Sequence, residues 1–205
     1  WGQDFRPSYL KIVDFVDGLD KRPIVSAFTA TATEEVKNDI LCILKLNNPD
    51  VTVTGFDREN LYYSVEHVHK KDDFVVDYVE KHPNDSGIIY CSTRKNVDKV
   101  FEILFKKGVA VTKYHAGLDT GTRKDNQDDF IYDRTPVIVA TNAFGMGIDL
   151  DSVDLVIHFN MPLSLTDYMQ QSGRAGRNGQ KAHAVLLYSD EDYYTNLAIL
   201  HDGHP

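Results

Sequence analysis

Short apolar runs alternate with longer amphipathic segments along most of this 205-residue chain. The apolar runs are typical of buried parallel strands, and the amphipathic segments carry their apolar residues on one face of a helix. Strands are predicted at 24–28, 51–54, 62–68, 87–91, 109–114, 137–140, 155–159 and 184–188, with helices in most of the intervals. The alternation predicts an α/β fold, in which helices cover a parallel sheet and functional loops follow the carboxyl ends of the strands.

Composition and charge limit the kinds of partner that the chain can bind and the compartment in which it is expected. The chain has 22 basic and 31 acidic residues, a formal charge of −9, so it is not a general binder of polyanions and any grip on nucleic acid must be local. No apolar run approaches the length that crosses a membrane, and we expect no membrane partner. Cys42 and Cys91 lie in apolar runs and form no C-x-x-C pair, which predicts buried free thiols in a reducing compartment. No histidine spacing predicts a metal site.

The stretch 137–179 carries the most informative polar residues. The strand at 137–140 leads into T-N-A-F-G-M-G-I-D, and a capping-box-like start at Ser164 opens a helix that runs into Q-Q-S-G-R-A-G-R. Arg174 and Arg177 thus lie three residues apart among glycines. Arginine stays charged and makes forked hydrogen bonds to phosphate oxygens, which suits stabilising a phosphoryl group in transfer. For a lone R-x-x-R, a solvated basic turn would be the ordinary interpretation.

The two motifs, in this order and at this distance, resemble motifs V and VI of superfamily-two helicases, in the spelling of the RecQ family of DNA helicases. The resemblance implies two RecA-like lobes that clamp ATP between them. It implies that Arg177 is the arginine finger that meets the γ-phosphate and that Arg174 is its partner. It also places Gln170 near the nucleotide, and Gly147 and Asp149 at the nucleotide ribose and the cleft between the lobes.

Two segments near the amino terminus extend the resemblance. Trp1, Phe5 and Arg6 match an aromatic-rich loop that senses single-stranded DNA in this family, although Gln3 stands where the family usually has histidine. Packing on a neighbouring domain is the alternative for these aromatic residues. The segment T-A-T with Thr29 and Thr31 resembles motif III, which couples the nucleotide and nucleic-acid sites; a plain helix cap is the alternative.

The loops that follow the predicted strands 87–91, 109–114 and 137–140 complete the set of candidate DNA contacts. Their spelling resembles motifs IV, IVa and V, and the resemblance implies that they contact the DNA backbone through Arg94, His115, Gly117 and Thr141. Such contacts would be largely independent of base sequence and sensitive to salt.

The segment 55–61 resembles the crossing between the two lobes of this family, which predicts a boundary near residue 60. Residues 1–60 would then be the tail of the first RecA-like lobe, with the end of the aromatic-rich loop and motif III, and residues 61–205 the second lobe with motifs IV to VI. Residues 1–60 would lack the rest of their sheet, and we expect some self-association through the exposed edges.

The resemblance implies a parent protein that uses ATP and Mg²⁺ to translocate 3′ to 5′ and unwind single-stranded and forked DNA in repair and recombination. No G-x-x-x-x-G-K-[ST] or acidic box occurs in the chain, so we expect most of their ligands in the missing first lobe and no ATPase activity from the chain alone. A zinc module is expected downstream of it. The expected location is the bacterial nucleoid within the cytoplasm, or the nucleus in a eukaryote.

Two other functions fit the same pattern. A DEAD-box-like RNA helicase lobe would share the fold and both arginines, although that family usually carries histidine where Gln170 stands. A non-enzymatic module that binds nucleic acid or protein is the second alternative. A Rossmann dehydrogenase is excluded because no G-x-G-x-x-G follows an early strand.

Overall fold

The computed structural model describes residues 11–29, 34–53, 57–145, 150 and 152–202. The chain divides into two compact units, 1–56 and 57–205. The smaller unit contains helices α1 (Ile12–Asp17) and α2 (Glu34–Ile43). Asp17 at the end of α1 accepts hydrogen bonds from Arg22 and from Lys45 Nζ (2.8 Å), which ties α1 to the residues after α2. The two cations, Lys45 first, lower the pKa of this carboxyl.

Two strand predictions in the smaller unit are wrong for the residues that the structure describes. Residues 24–28 and 51–53 belong to no strand, and Ile24 and Phe28 are 97% and 95% exposed. A strand exists only through hydrogen bonds to a neighbouring strand, so an apolar run without a partner remains irregular. The prediction of a buried thiol is also wrong for Cys42, which is exposed on α2, whereas Cys91 is buried.

The larger unit is built on a six-stranded parallel sheet, which confirms the predicted α/β fold. Its strands are β1 (Leu61–His67), β2 (Gly87–Tyr90), β3 (Val111–Tyr114), β4 (Val137–Ala140), β5 (Leu155–His158) and β6 (Ala182–Tyr188). The spatial order is β1-β6-β5-β2-β4-β3. The register places the last residues of four neighbouring strands side by side, in the order Tyr114, Ala140, Tyr90 and His158.

Helices cover both faces of this sheet. They are α3 (Lys71–Lys81), α4 (Arg94–Lys106), α5 (Thr120–Ile131), α6 (Leu165–Ser172) and α7 (Asp190–Asp202). Because successive residues of a strand point to opposite faces, Ile89 belongs to one core cluster, with α3 and α4, and Ile88 to the other, with Phe130 of α5. The central strands β2, β4 and β5 are buried throughout, as expected for continuous apolar runs in a parallel sheet.

Side-chain caps fix where three helices begin after the strand ends. Thr93 accepts a hydrogen bond from the Asn96 amide (3.1 Å) and Asp119 accepts one from the Thr122 amide (2.9 Å). Ser164 accepts one from the Asp167 amide (3.0 Å) and donates its hydroxyl to the Asp167 carboxylate (2.7 Å). The capping-box-like start of α6 is therefore present. No helix in the described ranges combines the length and the apolar character needed to cross a membrane.

Candidate functional site

The loops at the carboxyl ends of β2, β3 and β4 bring together the four candidate nucleic-acid contacts within the larger unit. Arg94 begins α4 after β2, His115 and Gly117 follow β3, and Thr141 follows β4. A Cβ on Gly117 would lie 3.2 Å from Arg94 Cδ and 3.1 Å from His115 Nδ1. The first three residues therefore form one packed group at the sheet edge on which ligands bind in open α/β folds.

His115 supports this edge from within. Its side chain is almost fully buried, its Nε2 lies 3.2 Å from Asp98 Oδ1, and its Nδ1 accepts a hydrogen bond from the Gly117 amide at 3.1 Å. Lys113 Nζ donates to the same carboxylate at 2.6 Å, and this bond, with that of His115, holds the pKa of Asp98 below its usual value. The ring nitrogens of His115 thus have partners on α4 (Asp98) and in its own loop (Gly117). Arg94 is the exposed side chain of the group.

Thr141 joins the ends of two strands through its backbone. Its amide donates to the Tyr114 carbonyl at 3.1 Å, and its carbonyl accepts from the Phe144 amide at 3.0 Å. Phe144 is buried against Tyr114 and Phe130. The loop that begins at Thr141 is therefore anchored in the core as far as Gly145.

The arginine turn, residues 173–177, follows α6 and is bonded to Val153, two residues before β5. Gly176 donates its amide to the Val153 carbonyl at 2.9 Å, and the fully buried Ala175 forms a parallel bridge with Val153. Gly176 has φ +63°, a conformation that glycine adopts without strain.

Arg174 points into the larger unit. Its Nη2 donates to the Gly145 carbonyl at 2.6 Å, and a Cβ on Gly145, which has φ +92°, would lie only 2.5 Å from the guanidinium carbon. The guanidinium also lies beside the buried Tyr90 hydroxyl. Burial raises the pKa of Tyr90 to about 12, and the charge of Arg174 opposes that rise. Arg174 therefore fixes the loop after β4 against the arginine turn.

Arg177 points to solvent. Its Nε donates to the Gly173 carbonyl at 3.3 Å, and the residue is exposed. Gln170 is exposed in the last turn of α6, one helical turn before the arginine turn. An exposed guanidinium on a fixed backbone is a group that can meet an anion brought by another domain or a ligand.

Two residues that the motif analysis did not assign to the site hold the arginine turn. Arg58 donates from Nη2 to the Ala175 carbonyl at 3.0 Å and from Nη1 to the Gly173 carbonyl at 3.4 Å. Asn60 Nδ2 donates to the carbonyls of Gly176 and Gln180, at 2.7 Å each. The available signal was the pair of polar residues, two positions apart, immediately before β1.

A buried aromatic and polar group lies between the ends of β2 and β5, beside a cavity. His158 is fully buried, and its Nε2 lies 2.9 Å from Gln171 Oε1 on α6. Its ring stacks on Tyr90 with centroids 5.6 Å apart. Burial lowers the pKa of His158 to about 4, and the bond to Gln171 works against that shift. A neutral imidazole therefore links α6 to the centre of the sheet at neutral pH.

The loop after β5 is held by a second polar network. Asn160 Oδ1 accepts from the Ser92 amide and from Asn96 Nδ2, at 3.1 Å each, and its Nδ2 donates to Asp192 Oδ1 at 3.0 Å. Asp192 is also paired with Lys71. This network connects the loops after β2 and β5 to α7.

Trp1, Phe5, Arg6, Thr31, Gly147 and Asp149 lie outside the residues that the structure describes. Thr29 is described and exposed, in the smaller unit. In the described ranges, no group of three or more His, Cys, Asp or Glu residues is arranged to hold a metal ion.

The sequence of this chain is similar to the sequences of known helicases. Residues 70–179 match the family of helicase conserved C-terminal domains. Over 94% of its length, the chain is 42% identical to the ATP-dependent DNA helicase RecQ of Bacillus subtilis and 44% identical to the RecQ-like DNA helicase BLM of Xenopus laevis. It covers 32% and 14% of those two proteins. These identities confirm the resemblance to RecQ helicases.

Solved structures confirm the RecA-like fold. The C-terminal domain of the DEAD-box protein Dbp5 is 26% identical, with a TM-score of 0.56 over 70% of this chain and 83% of that domain. S. cerevisiae Dbp5 bound to RNA and ADP BeF3 has a TM-score of 0.69 at 23% identity, over 98% of this chain and 54% of that protein. The chain spans about a third of the length of its RecQ relatives from bacteria, such as the B. subtilis protein.

Proposed function

Because this chain belongs to the family of helicase conserved C-terminal domains, we propose that it is part of an ATP-dependent DNA helicase of the RecQ type. In this proposal residues 61–205 are the second RecA-like lobe and residues 1–60 are the tail of the first. The parent protein couples ATP hydrolysis to 3′ to 5′ translocation and to the unwinding of forked DNA, in repair and recombination. It acts in the bacterial nucleoid or in a eukaryotic nucleus.

The observation that carries the proposal is the exposed guanidinium of Arg177 on a turn whose backbone is pinned at Val153. We assign to Arg177 the role of the finger that neutralises charge on the γ-phosphate. Arg174 acts beside it by holding Gly145, the last described residue before Gly147 and Asp149. We assign to the exposed Gln170, one helical turn before the arginine turn, a place near the nucleotide. Such a finger contributes about 10³–10⁵-fold to the rate in related enzymes.

The nucleotide fits the chain only in part. The exposed Arg177 can meet a phosphate, whereas the phosphate cradle and the Mg²⁺ ligands are assigned to the first lobe of the parent protein. ATP with Mg²⁺ supplies the phosphoryl group that is transferred to water. The chain alone is therefore expected to lack ATPase activity, and a zinc module is expected to follow it in the parent protein.

The DNA strand is assigned to the edge formed by Arg94, His115, Gly117 and Thr141. Arg94 is the exposed cation there, and His115 holds the loop behind it. Trp1, Phe5 and Arg6 are assigned to DNA sensing, and Thr29 and Thr31 to coupling with the nucleotide. An RNA strand is the second candidate ligand, because the fold is shared with a DEAD-box protein whose structure was solved with RNA.

The test is ATP hydrolysis by the full-length protein, measured with single-stranded DNA and with RNA of the same length. DNA should stimulate hydrolysis more than RNA, and Arg177→Ala should remove most of the stimulated rate while ATP binding is retained. Arg134→Ala is the matched control, since Arg134 is an exposed arginine paired with Asp129 on another surface. Equal rates with and without Arg177 would favour a non-enzymatic role for this chain within the parent protein, and stronger stimulation by RNA would favour the RNA helicase.

A further inference from the structure

We propose that Arg58 and Asn60 are positioning residues that hold the arginine turn so that Arg177 faces the nucleotide. The inference rests on the proposed function of Arg177. Neither residue is assigned to the nucleotide or to DNA. Both lie at the start of the larger unit, in the four residues that precede β1.

Arg58 supplies donors to backbone carbonyl groups in the turn that follows α6. It donates to the carbonyls of Gly173, Ala175 and Gly176, and it is partly buried in doing so. A guanidinium has five N–H donors in one plane, and a cation is favoured at the carboxyl end of a helix. In the described residues Arg58 forms no ion pair with a carboxylate. Its contacts to this turn are to the backbone, so they fix the path of the chain.

Asn60 closes the turn on its other side. Its side-chain amide donates to Gly176 and Gln180, and its own carbonyl accepts from the Ala182 amide at 2.9 Å, at the start of β6. A Cβ on Gly176 would lie 2.6 Å from Asn60 Nδ2. Asn60 thus requires glycine at position 176 and joins the arginine turn to the sheet.

These contacts leave the guanidinium of Arg177 available. Arg177 Nε and Arg58 Nη1 share the Gly173 carbonyl, at 3.3 and 3.4 Å. Arg58 also occupies the carbonyls of Ala175 and Gly176, while Val153 holds the Gly176 amide. Without Arg58, the Ala175 carbonyl would lose this donor, whereas Gly176 would keep those of Asn60 and of the Gly179 amide. Arg177, which already donates to Gly173, is the cation that could then fold back onto the turn. Arg58 and Asn60 therefore keep the side chain of Arg177, the proposed finger, extended.

The experiment is a double-mutant cycle on the DNA-stimulated ATPase of the full-length protein, with Arg58→Ala, Arg177→Ala and the combination. A displaced catalytic group costs about 10²-fold in rate, so Arg58→Ala should lower kcat by about 10²-fold while KM for ATP stays nearly constant. In the Arg177→Ala background, Arg58→Ala should lower kcat no further, because residues that act as a unit are not additive. Arg58→Lys should restore little, since an ammonium cannot span three carbonyls.

The possible outcomes separate this inference from the proposed function. If Arg177→Ala leaves kcat unchanged, the proposed function is wrong, and this inference falls with it. If Arg177→Ala abolishes turnover but Arg58→Ala does not, or if the two losses multiply, only the positioning role is overturned. Asn60→Asp gives a second route if Arg58→Ala does not fold, because it replaces the donor to Gly176 and Gln180 by an acceptor of nearly the same shape. The same loss of kcat without additivity is expected for it, and unchanged kcat would count against the inference.

Discussion

Arg174 lies flat against Gly145, with Nη2 2.6 Å from the Gly145 carbonyl oxygen and no space for a side chain at position 145. The contact joins the loop after β4 to the turn after α6, across 29 residues of sequence. It connects the two motifs on which the family assignment rests. Arg174 is therefore a packing partner of the loop after β4 as well as a cation.

Gly145→Ala should destabilise the protein more than an ordinary glycine substitution does. Two effects add: a side chain at φ +92°, and a collision at 2.5 Å with the Arg174 guanidinium. The backbone effect alone costs about 1–3 kcal/mol at such positions. The free energy of unfolding from urea titration measures the sum.

Comparison with Gly108→Ala separates the collision with Arg174 from the backbone effect. Gly108 has φ +80°, and a Cβ there would meet nothing within 4 Å, so this variant bears the backbone effect alone. Gly145→Ala should be clearly the less stable of the two, and adding Arg174→Ala to it should recover part of the difference. Equal stability of the two glycine variants would show that Arg174 moves aside without cost.

His158 should make stability depend on pH between about 4 and 6.5. Burial lowers its pKa from 6.5 to about 4. Over this pH range the unfolded chain therefore binds a proton at His158, whereas the folded protein does not. Stability is therefore complete above pH 6.5 and falls as the pH falls towards 4, by at most about 3 kcal/mol. Urea titrations at half-unit pH intervals measure this fall.

His158→Gln is the control for that pH dependence. Glutamine does not titrate, and the ring neighbours Tyr90 and Tyr168 have pKa values raised by burial, well above this range. The slope of stability against pH between 4 and 6.5 should fall by up to one proton in the variant. An unchanged slope would mean that the proton is bound elsewhere.

The sheet was predictable from sequence because its central strands are buried on both faces. The runs 87–91, 137–140 and 155–159 are almost entirely apolar, and no other element is compatible with their length and flanking turns. The apolar run at 24–28 has the same local pattern and forms no strand in the structure. The difference lies in the partner strand, which a local pattern does not contain.

The spacing of the two arginines did not predict their opposite surroundings. Arg174 is partly buried against Gly145, and Arg177 is exposed. The contribution of Arg58 was equally invisible, since its carbonyl partners lie 115 to 118 residues along the chain. Motif spelling locates groups that carry chemistry, whereas the residues that orient them are found from contacts at long sequence separation.

The two cysteines should differ strongly in their reaction with a thiol reagent. Cys42 is exposed, whereas Cys91 is buried at the end of β2, and burial raises the pKa of its thiol. The thiolate is the reactive form, so Cys91 is protected by access and by protonation. A colorimetric thiol assay should therefore count one fast group in the native chain and two after denaturation. Cys42→Ser should abolish the fast phase, and a fast phase that persisted would place Cys91 at the surface.

The pair of Lys71 and Asp192 should be among the most sensitive polar contacts of the larger unit. Their side chains are only 12% and 11% exposed, and the Asp192 carboxylate also accepts from Asn160 Nδ2 and the Met161 amide. Asp192→Ala would leave a buried ammonium without its counter-ion, a change that costs about 3–5 kcal/mol. Asp192→Asn keeps an acceptor for Asn160 and should lose less.

Asp129→Ala provides the comparison for this ion pair, measured by the same urea titration. Asp129 pairs with Arg134 at 2.8 Å, but these side chains are 39% and 61% exposed, far more than those of Asp192 and Lys71. Exposed pairs contribute about 0–1 kcal/mol, so this variant should unfold at nearly the wild-type urea concentration. If Asp192→Ala were equally mild, water would have to reach the Lys71 ammonium in the folded protein, and contacts such as those of Asn160 and Asn196 would be enough to hold the loop after β5.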